Sequence, residues 1–395
     1  MTELDVAALR ASYARFLDGD PGSAGARRVL LTGHSHQAWP DVVRDALTRC
    51  FDDAARFVDD KWSAAVMPKV DAVGRAILRR SGFAEDDAIA FGRSTHELVF
   101  RLITCLPACG RGQRIVTTRG EFYSLHRQLT RLAEDGADVV WVAASPREGL
   151  AERLIDAITP GTAMVAFSAV LFEDAHVLPR LGDVIARAAE VGAIPLVDAY
   201  HAFNVVPLDM GPRAQDAYVT AGGYKYAEFG EGLCWLRLPA DCALRPVDTG
   251  WFSDFGNLTG PRAKEVVYGA KGDRFAGATF DPTPFYRAEA TLAHLDRFGL
   301  GPAELRAISL RQTRRLLDEV DARGLGERVL ASRDDARRGG FVSVDVGDGA
   351  AVAQRMRADG VWVDARGRVV RLGPAPYTTD DELARGAAAL ARAVA

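Results

Sequence analysis

Between residues 86 and 238 the chain returns repeatedly to short apolar runs, DDAIAFG, GQRIVTT, ADVVWVAA, TAMVAFSAV, AIPLVDA, AYVTAG and GLCWLRL. They are rich in Val, Ile and Ala, and most are separated by segments of helical periodicity. Ile194, Pro195, Leu196 and Val197 have no polar alternation at all, as a strand covered on both faces of a parallel sheet requires. Strands alternating with helices predict an α/β chain whose large domain holds a seven-stranded, mostly parallel sheet with helices on both faces. In such sheets ligands sit beyond the carboxyl ends of the strands. The pattern gives a large domain over 61–285, a smaller α+β domain over 286–395, and an N-terminal arm over 1–60 that adds to the small domain. Residues 41–81 read as helical up to Gly82, and residues 286–324 as one long helix leading into the small domain.

Composition narrows the partners. The chain has 395 residues, 48% of them hydrophobic and 26% charged, with a formal net charge of -4 and interspersed signs. No basic stripe offers itself to nucleic acid or to an anionic membrane, and no apolar run is long enough to span a bilayer. Cys50, Cys105, Cys109, Cys234 and Cys242 lack paired spacing, which fits a reducing compartment, so a cytoplasmic protein acting on small molecules is expected. The first residues, MTELDVAALRASYARFL, carry acids and arginines at helical spacing and do not read as a signal peptide.

Chemistry concentrates in residues 194–235. Asp198 ends one apolar run, and the next leads through Gly222, Gly223 and Tyr224 into Lys225. Both groups therefore sit at strand ends. A carboxylate and an amine so placed are the two protein groups that pyridoxal 5'-phosphate (PLP) chemistry needs: the amine forms a Schiff base, and the carboxylate keeps the pyridine nitrogen protonated. Taken singly, Asp198 could be a helix or turn cap and Lys225 a solvated lysine. Lys225, however, stands between two tyrosines in a glycine-rich turn, which is unlike a surface lysine. Upstream, Gly92-Arg93-Ser94-Thr95-His96 runs straight into a helix, whose free N–H groups together with the Ser94 and Thr95 hydroxyls suit a phosphate as well as an ordinary N-cap. His96 reads as structural. His34 and His36 lie two apart without a Cys or acidic neighbour, and no metal is expected there.

Asp198-Ala199-Tyr200-His201-Ala202, then Gly223-Tyr224-Lys225-Tyr226 and Gly230-Glu231-Gly232, resemble kynureninase, within the class V aminotransferase group of PLP enzymes. The resemblance covers most of the chain and implies fold type I, the aspartate aminotransferase-like fold, in a homodimer that shares its active site across the interface. It makes Lys225 and Asp198 the catalytic pair. It also implies that Ser94 and Thr95 form the phosphate cup, that Phe122 stacks on the cofactor, and that Ser168, His201 and Tyr224 contact it. Trp251 and Thr279 would close over the phosphate from the neighbouring subunit. Arg371 matches the arginine that clamps the amino-acid carboxylate, with His34, Ser35 and Asp281 in the substrate pocket. Three positions depart from the family pattern: His34 replaces an Asn, Leu125 stands where an acid follows the stacking Phe, and Asp281 replaces another Asn.

The expected activity is hydrolytic Cβ–Cγ cleavage of an L-amino acid with a γ-carbonyl, kynurenine or 3-hydroxykynurenine giving an anthranilate-type acid and alanine, as in tryptophan catabolism. A class V aminotransferase, or a PLP-dependent tailoring lyase of specialised metabolism, is the alternative. A cysteine desulfurase with its persulfide cysteine in the C-terminal third is disfavoured, because no cysteine follows Cys242. A binding or scaffold protein would need no Schiff-base lysine.

Overall fold

The computed structural model describes residues 4–19, 28–257 and 264–395. All seven apolar runs form strands of one sheet: β1 (Ala88–Gly92), β2 (Arg114–Thr118), β3 (Asp138–Val142), β4 (Thr162–Ser168), β5 (Ile194–Asp198), β6 (Tyr218–Gly222) and β7 (Cys234–Leu238). Their order is β1-β7-β6-β5-β4-β2-β3, parallel except for β7, which runs antiparallel to both its neighbours. Covered strands need apolar residues at every position, and adjacent residues here divide between two cores. Met164, Ala166 and Leu196 pack on one face with the helix Thr95–Ile103, while Val165, Phe167 and Val197 pack on the other with the helix Leu181–Glu190.

The polypeptide before the sheet is less regular than its periodicity predicts. The stretch 41–81 divides into helices Val42–Phe57 and Met67–Arg80, with a tight turn and a widened π segment between them where Val58 takes a positive φ. The long helix expected over 286–324 is likewise two, Thr283–Arg297 and Pro302–Asp321, because Gly299 turns left-handed (φ +65°) and Pro302 opens a new helix. Phe285, Ala288 and Leu292 of the first helix pack into the same core as Val165, Phe167 and Val197 of the seven-stranded sheet.

A second core lies under the antiparallel strands β8 (Val342–Asp345), β9 (Asp364–Arg366) and β10 (Val369–Leu372), in the order β9-β10-β8. Leu316, Val320, Met356, Leu383 and Leu390 cover that sheet from three helices. The N-terminal segment joins this layer: Val29 and Leu30 pair in parallel with Val361 and Trp362. The loop after it bridges two distant segments, since the Gly33 N–H donates to the carbonyl of Gly373 and the Gln37 N–H to that of Tyr224.

One turn matters most for position. After β6, the Gly223 N–H donates to the Leu233 carbonyl and the Phe229 N–H to that of Gly223, which folds residues 223–229 tightly against β7 and aims Lys225 back over the strand ends. A Cβ on Gly223 would lie 2.6 Å from the Gly230 carbonyl oxygen and 2.9 Å from Phe229 Cβ. Gly223→Ala should therefore destabilise the fold by about 1–3 kcal/mol. Thermal unfolding should show a lowered midpoint, and an unchanged midpoint would refute this account of the turn.

Candidate active site

The register of the parallel strands builds the floor of the site. Ala166 pairs with Leu196 and Leu196 with Tyr218; two residues on, the same face continues with Ser168 opposite Asp198 and Asp198 opposite Thr220. Side chains repeat every second residue, so the apolar row that packs under the helix Thr95–Ile103 turns polar where the strands end. A cavity of about 240 Å³ opens there. Ser94, Thr95, Phe122, Ser168, Asp198, His201, Tyr224 and Lys225, all named from the sequence, line it.

Lys225 is 6% exposed, and its Nζ lies 2.8 Å from His201 Nε2. Aromatic rings enclose it: Nζ is 4.3 Å from the centroid of Tyr200, 5.4 Å from Phe122 and 5.8 Å from Tyr224. Burial disfavours the ammonium and pulls Lys225 down to about 7, against the attraction of Asp198. The amine is thus a nucleophile near neutral pH, which a solvated lysine is not. Asp198 Oδ1 accepts the Tyr200 N–H at 2.8 Å, and burial raises its carboxyl above the usual range. His201 is driven well below its ordinary value by burial and by Lys225, so it is neutral, and its buried Nδ1 has no partner among the described residues.

Facing this pair is the N-terminus of the helix Thr95–Ile103. Ser94 is its N-cap, accepting the Glu97 N–H at 3.2 Å, and it also reaches the cavity with Thr95. The two expectations for Ser94 are compatible, because one hydroxyl can accept from the helix and donate outward. His96 lines the cavity rather than pointing away, its ring 2.8 Å from Gln128 Nε2. Leu125, at the position where an acid was expected, lines the same wall and packs into the core.

The remaining expected site residues lie elsewhere. Trp251 is 46% exposed and packs on Phe252 and Phe255, and Thr279 is exposed. Asp281 is on the surface, accepting the Thr283 N–H at the start of the helix Thr283–Arg297. None of the three touches the cavity of their own chain. Ser35 is buried and donates to the Thr32 carbonyl. His34 is fully buried behind the cavity wall, stacked on Phe341 at 4.5 Å, and held neutral by burial, at about 3. His36 instead stacks on Tyr224 at 4.9 Å, so the two histidines diverge. Arg371 is 2% exposed and also lies behind the wall, donating to the carbonyl of the cavity residue Phe172 and to the carboxylate of Asp364.

Sequence reasoning gave no role to Tyr200, Thr220, Phe172, Asp364 or Glu121. Tyr200 and Thr220 fell inside runs that were singled out, so their signal was available. Phe172 and Asp364 carry none, because their places depend on contacts between distant segments. Glu121 is buried, accepting Ser168 Oγ at 2.6 Å and Thr118 Oγ1 at 2.5 Å. Because Ser168 donates its hydroxyl proton to Glu121, its oxygen is left as an acceptor toward the cavity.

Residues 305–390 match the family model described as "Kynureninase C-terminal domain". The chain is 29% identical over 240 residues to the kynureninase of Pseudomonas fluorescens, covering 59% of this chain and 56% of that protein. It is 24% identical over 373 residues to the kynureninase of Bacillus thuringiensis subsp. konkukian (strain 97-27), covering 90% and 86%. A solved structure of a C-DES mutant, in which glycine is covalently linked to the PLP cofactor, superposes with a TM-score of 0.81 at 20% identity, over 97% of this chain and 98% of that one. The α/β fold is that of PLP fold type I.

Burial pushes Glu121 up from 4.5 to about 7. Between those values the folded chain holds a proton that the unfolded chain has released, so this group's contribution to stability falls as pH rises through that window. Glu121→Gln keeps the shape and removes the proton. Denaturant unfolding from pH 5 to 8 should then show a slope shallower by up to about 1 kcal/mol per pH unit. An unaltered slope would show that Glu121 does not titrate there.

Proposed function

We propose that this kynureninase-like chain is a PLP-dependent enzyme that cleaves the Cβ–Cγ bond of an L-amino acid bearing a γ-carbonyl. The observation that carries the reading is one cavity onto which Lys225 and Asp198 both open, with burial bringing the amine's titration down to about 7. Similarity to kynureninases along 90% of the chain supports the substrate class. The residues present fit PLP. A phosphate suits the free N–H groups of the helix Thr95–Ile103 and the hydroxyls of Ser94 and Thr95, Phe122 offers a flat ring, and the unpartnered His201 Nδ1 leaves a polar contact open.

When bound, PLP supplies an aldehyde for amines and a pyridine ring that withdraws electrons from the substrate. Asp198 would hold the proton on the ring nitrogen, its own charge sustained by the Tyr200 N–H. Lys225 would take the proton from the substrate Cα, because its enclosed amine has no water competing for the lone pair. Arg371 would receive the substrate carboxylate. Addition of water to the γ-carbonyl then lets the Cβ–Cγ bond break, giving alanine and an aryl acid. Trp251 and Thr279 are exposed, Trp251 packing on the exposed Phe255, and we assign both residues to a homodimer interface at which each copy completes the other's phosphate site.

A second reading has its own support. Leu125 lines the cavity where the kynureninase pattern has an acid, so an apolar wall replaces a polar contact, and a class V aminotransferase or tailoring lyase would take a different amino acid.

Incubated with PLP, kynurenine and 3-hydroxykynurenine should yield fluorescent anthranilates with equimolar alanine. Turnover that requires an added keto acid and releases no aryl acid would establish the aminotransferase instead. Lys225→Ala should abolish the visible absorbance band that PLP gains on binding, and a retained band would mean that another lysine serves. With Lys225 intact, the rate at which the band forms should rise as pH increases through about 7, since only the neutral amine reacts; a flat profile from about pH 6 to 8.5 would contradict the assignment.

A further inference from the structure

Arg371, the proposed receptor for the substrate carboxylate, is already bound to a carboxylate of its own chain. Asp364 stands directly opposite Arg371 across the antiparallel pair β9–β10, so the two side chains share one face. Asp364 Oδ2 accepts from Arg371 Nη2, and the Phe172 carbonyl accepts from Nη1. Arg371 Nε is buried with no partner among the described residues, and the Phe341 ring covers the guanidinium at 5.5 Å. Burial opposes ionisation of Asp364, but its neighbours His34 and Arg371 outweigh burial and hold it well below the usual carboxylate range. It is therefore a full negative charge where a substrate carboxylate would bind.

We infer that Asp364 is an internal competitor that occupies Arg371 until an amino-acid carboxylate displaces it, and so sets how tightly the site holds its substrate. This rests on the reading of Arg371 as the carboxylate clamp. One guanidinium cannot neutralise two carboxylates away from water, and a doubly engaged Arg371 would leave a net negative charge buried. Release does not strand Asp364, because its other oxygen, Oδ1, lies 3.2 Å from Arg366 Nη1, a guanidinium that is 43% exposed. The hairpin thus has two arrangements, Asp364 on both arginines or on Arg366 alone. Only the second frees the fork of Arg371. Apparent affinity is reduced by the fraction of chains in the first arrangement. Exchange of partners also draws Arg371 away from Phe172, whose ring packs edge-on to Phe122 at 5.4 Å, so seating the carboxylate is linked to the cavity wall.

The test uses the PLP-loaded protein, its Asp364→Asn and Asp364→Ala variants, and two probes that differ by a carboxylate, L-alanine and ethylamine. Each is titrated against the visible absorbance band. Removing the competitor should tighten L-alanine by about fivefold or more in both variants and leave ethylamine unchanged. Unchanged or weakened L-alanine binding in both variants would overturn the inference, since a partner that merely orients Arg371 weakens binding when removed. Wild-type protein that gains no band with PLP would overturn the functional reading and this inference with it. Circular dichroism confirms that the variants are folded, and Asp364→Asn keeps the shape if Asp364→Ala does not fold.

Discussion

Everything in the site depends on the hydrogen-bonded register of three parallel strands. Ladder bonds between β4, β5 and β6 place Ser168, Asp198 and Thr220 in one row at the carboxyl edge of the sheet. That row continues the apolar one that anchors the covering helix, so a slip of a single residue would turn Asp198 into the opposite core. A carboxylate buried among Val and Leu would be unpaired there, at a cost of several kcal/mol. Folding and function thus share one constraint, and the strand ends are where both are satisfied.

The same economy governs Lys225. Its amine is held among the rings of Tyr200, Phe122 and Tyr224, and the turn that aims it is closed by Gly223, where a side chain would collide with Phe229 and Gly230. Enclosure removes water, and the loss of water is what lowers the lysine's hold on its proton. Two further buried carboxyls, Glu121 beneath Ser168 and Glu228 bonded to Tyr13, are each pushed up to about 7 by burial. Both interior acids therefore keep a hydroxyl partner, and their charges are muted rather than absent.

Legibility differed sharply between parts of the molecule. All seven strands of the large sheet were readable, because strands covered on both faces admit only apolar residues and announce their ends with glycine or a polar residue. Long helices were over-read, since periodicity persists through a break such as Val58 or Gly299 while the backbone turns. Eight of the expected site residues meet at one cavity, from Ser94 to Lys225. Trp251, Thr279 and Asp281 do not reach the cavity of their own chain, and His34 and Arg371 lie behind its wall.

From sequence alone came the order of strands and helices, the carboxylate and amine at successive strand ends, and the likeness to a PLP family. These are local properties, set by which residues tolerate burial and which end a strand. Tertiary structure alone decided that Asp364 lies against Arg371, that Glu121 binds Ser168, and that Phe172 supplies both a ring and a carbonyl to the wall. Such contacts join segments far apart in the chain, and their energy depends on distances of a few ångströms that no spacing of residues encodes.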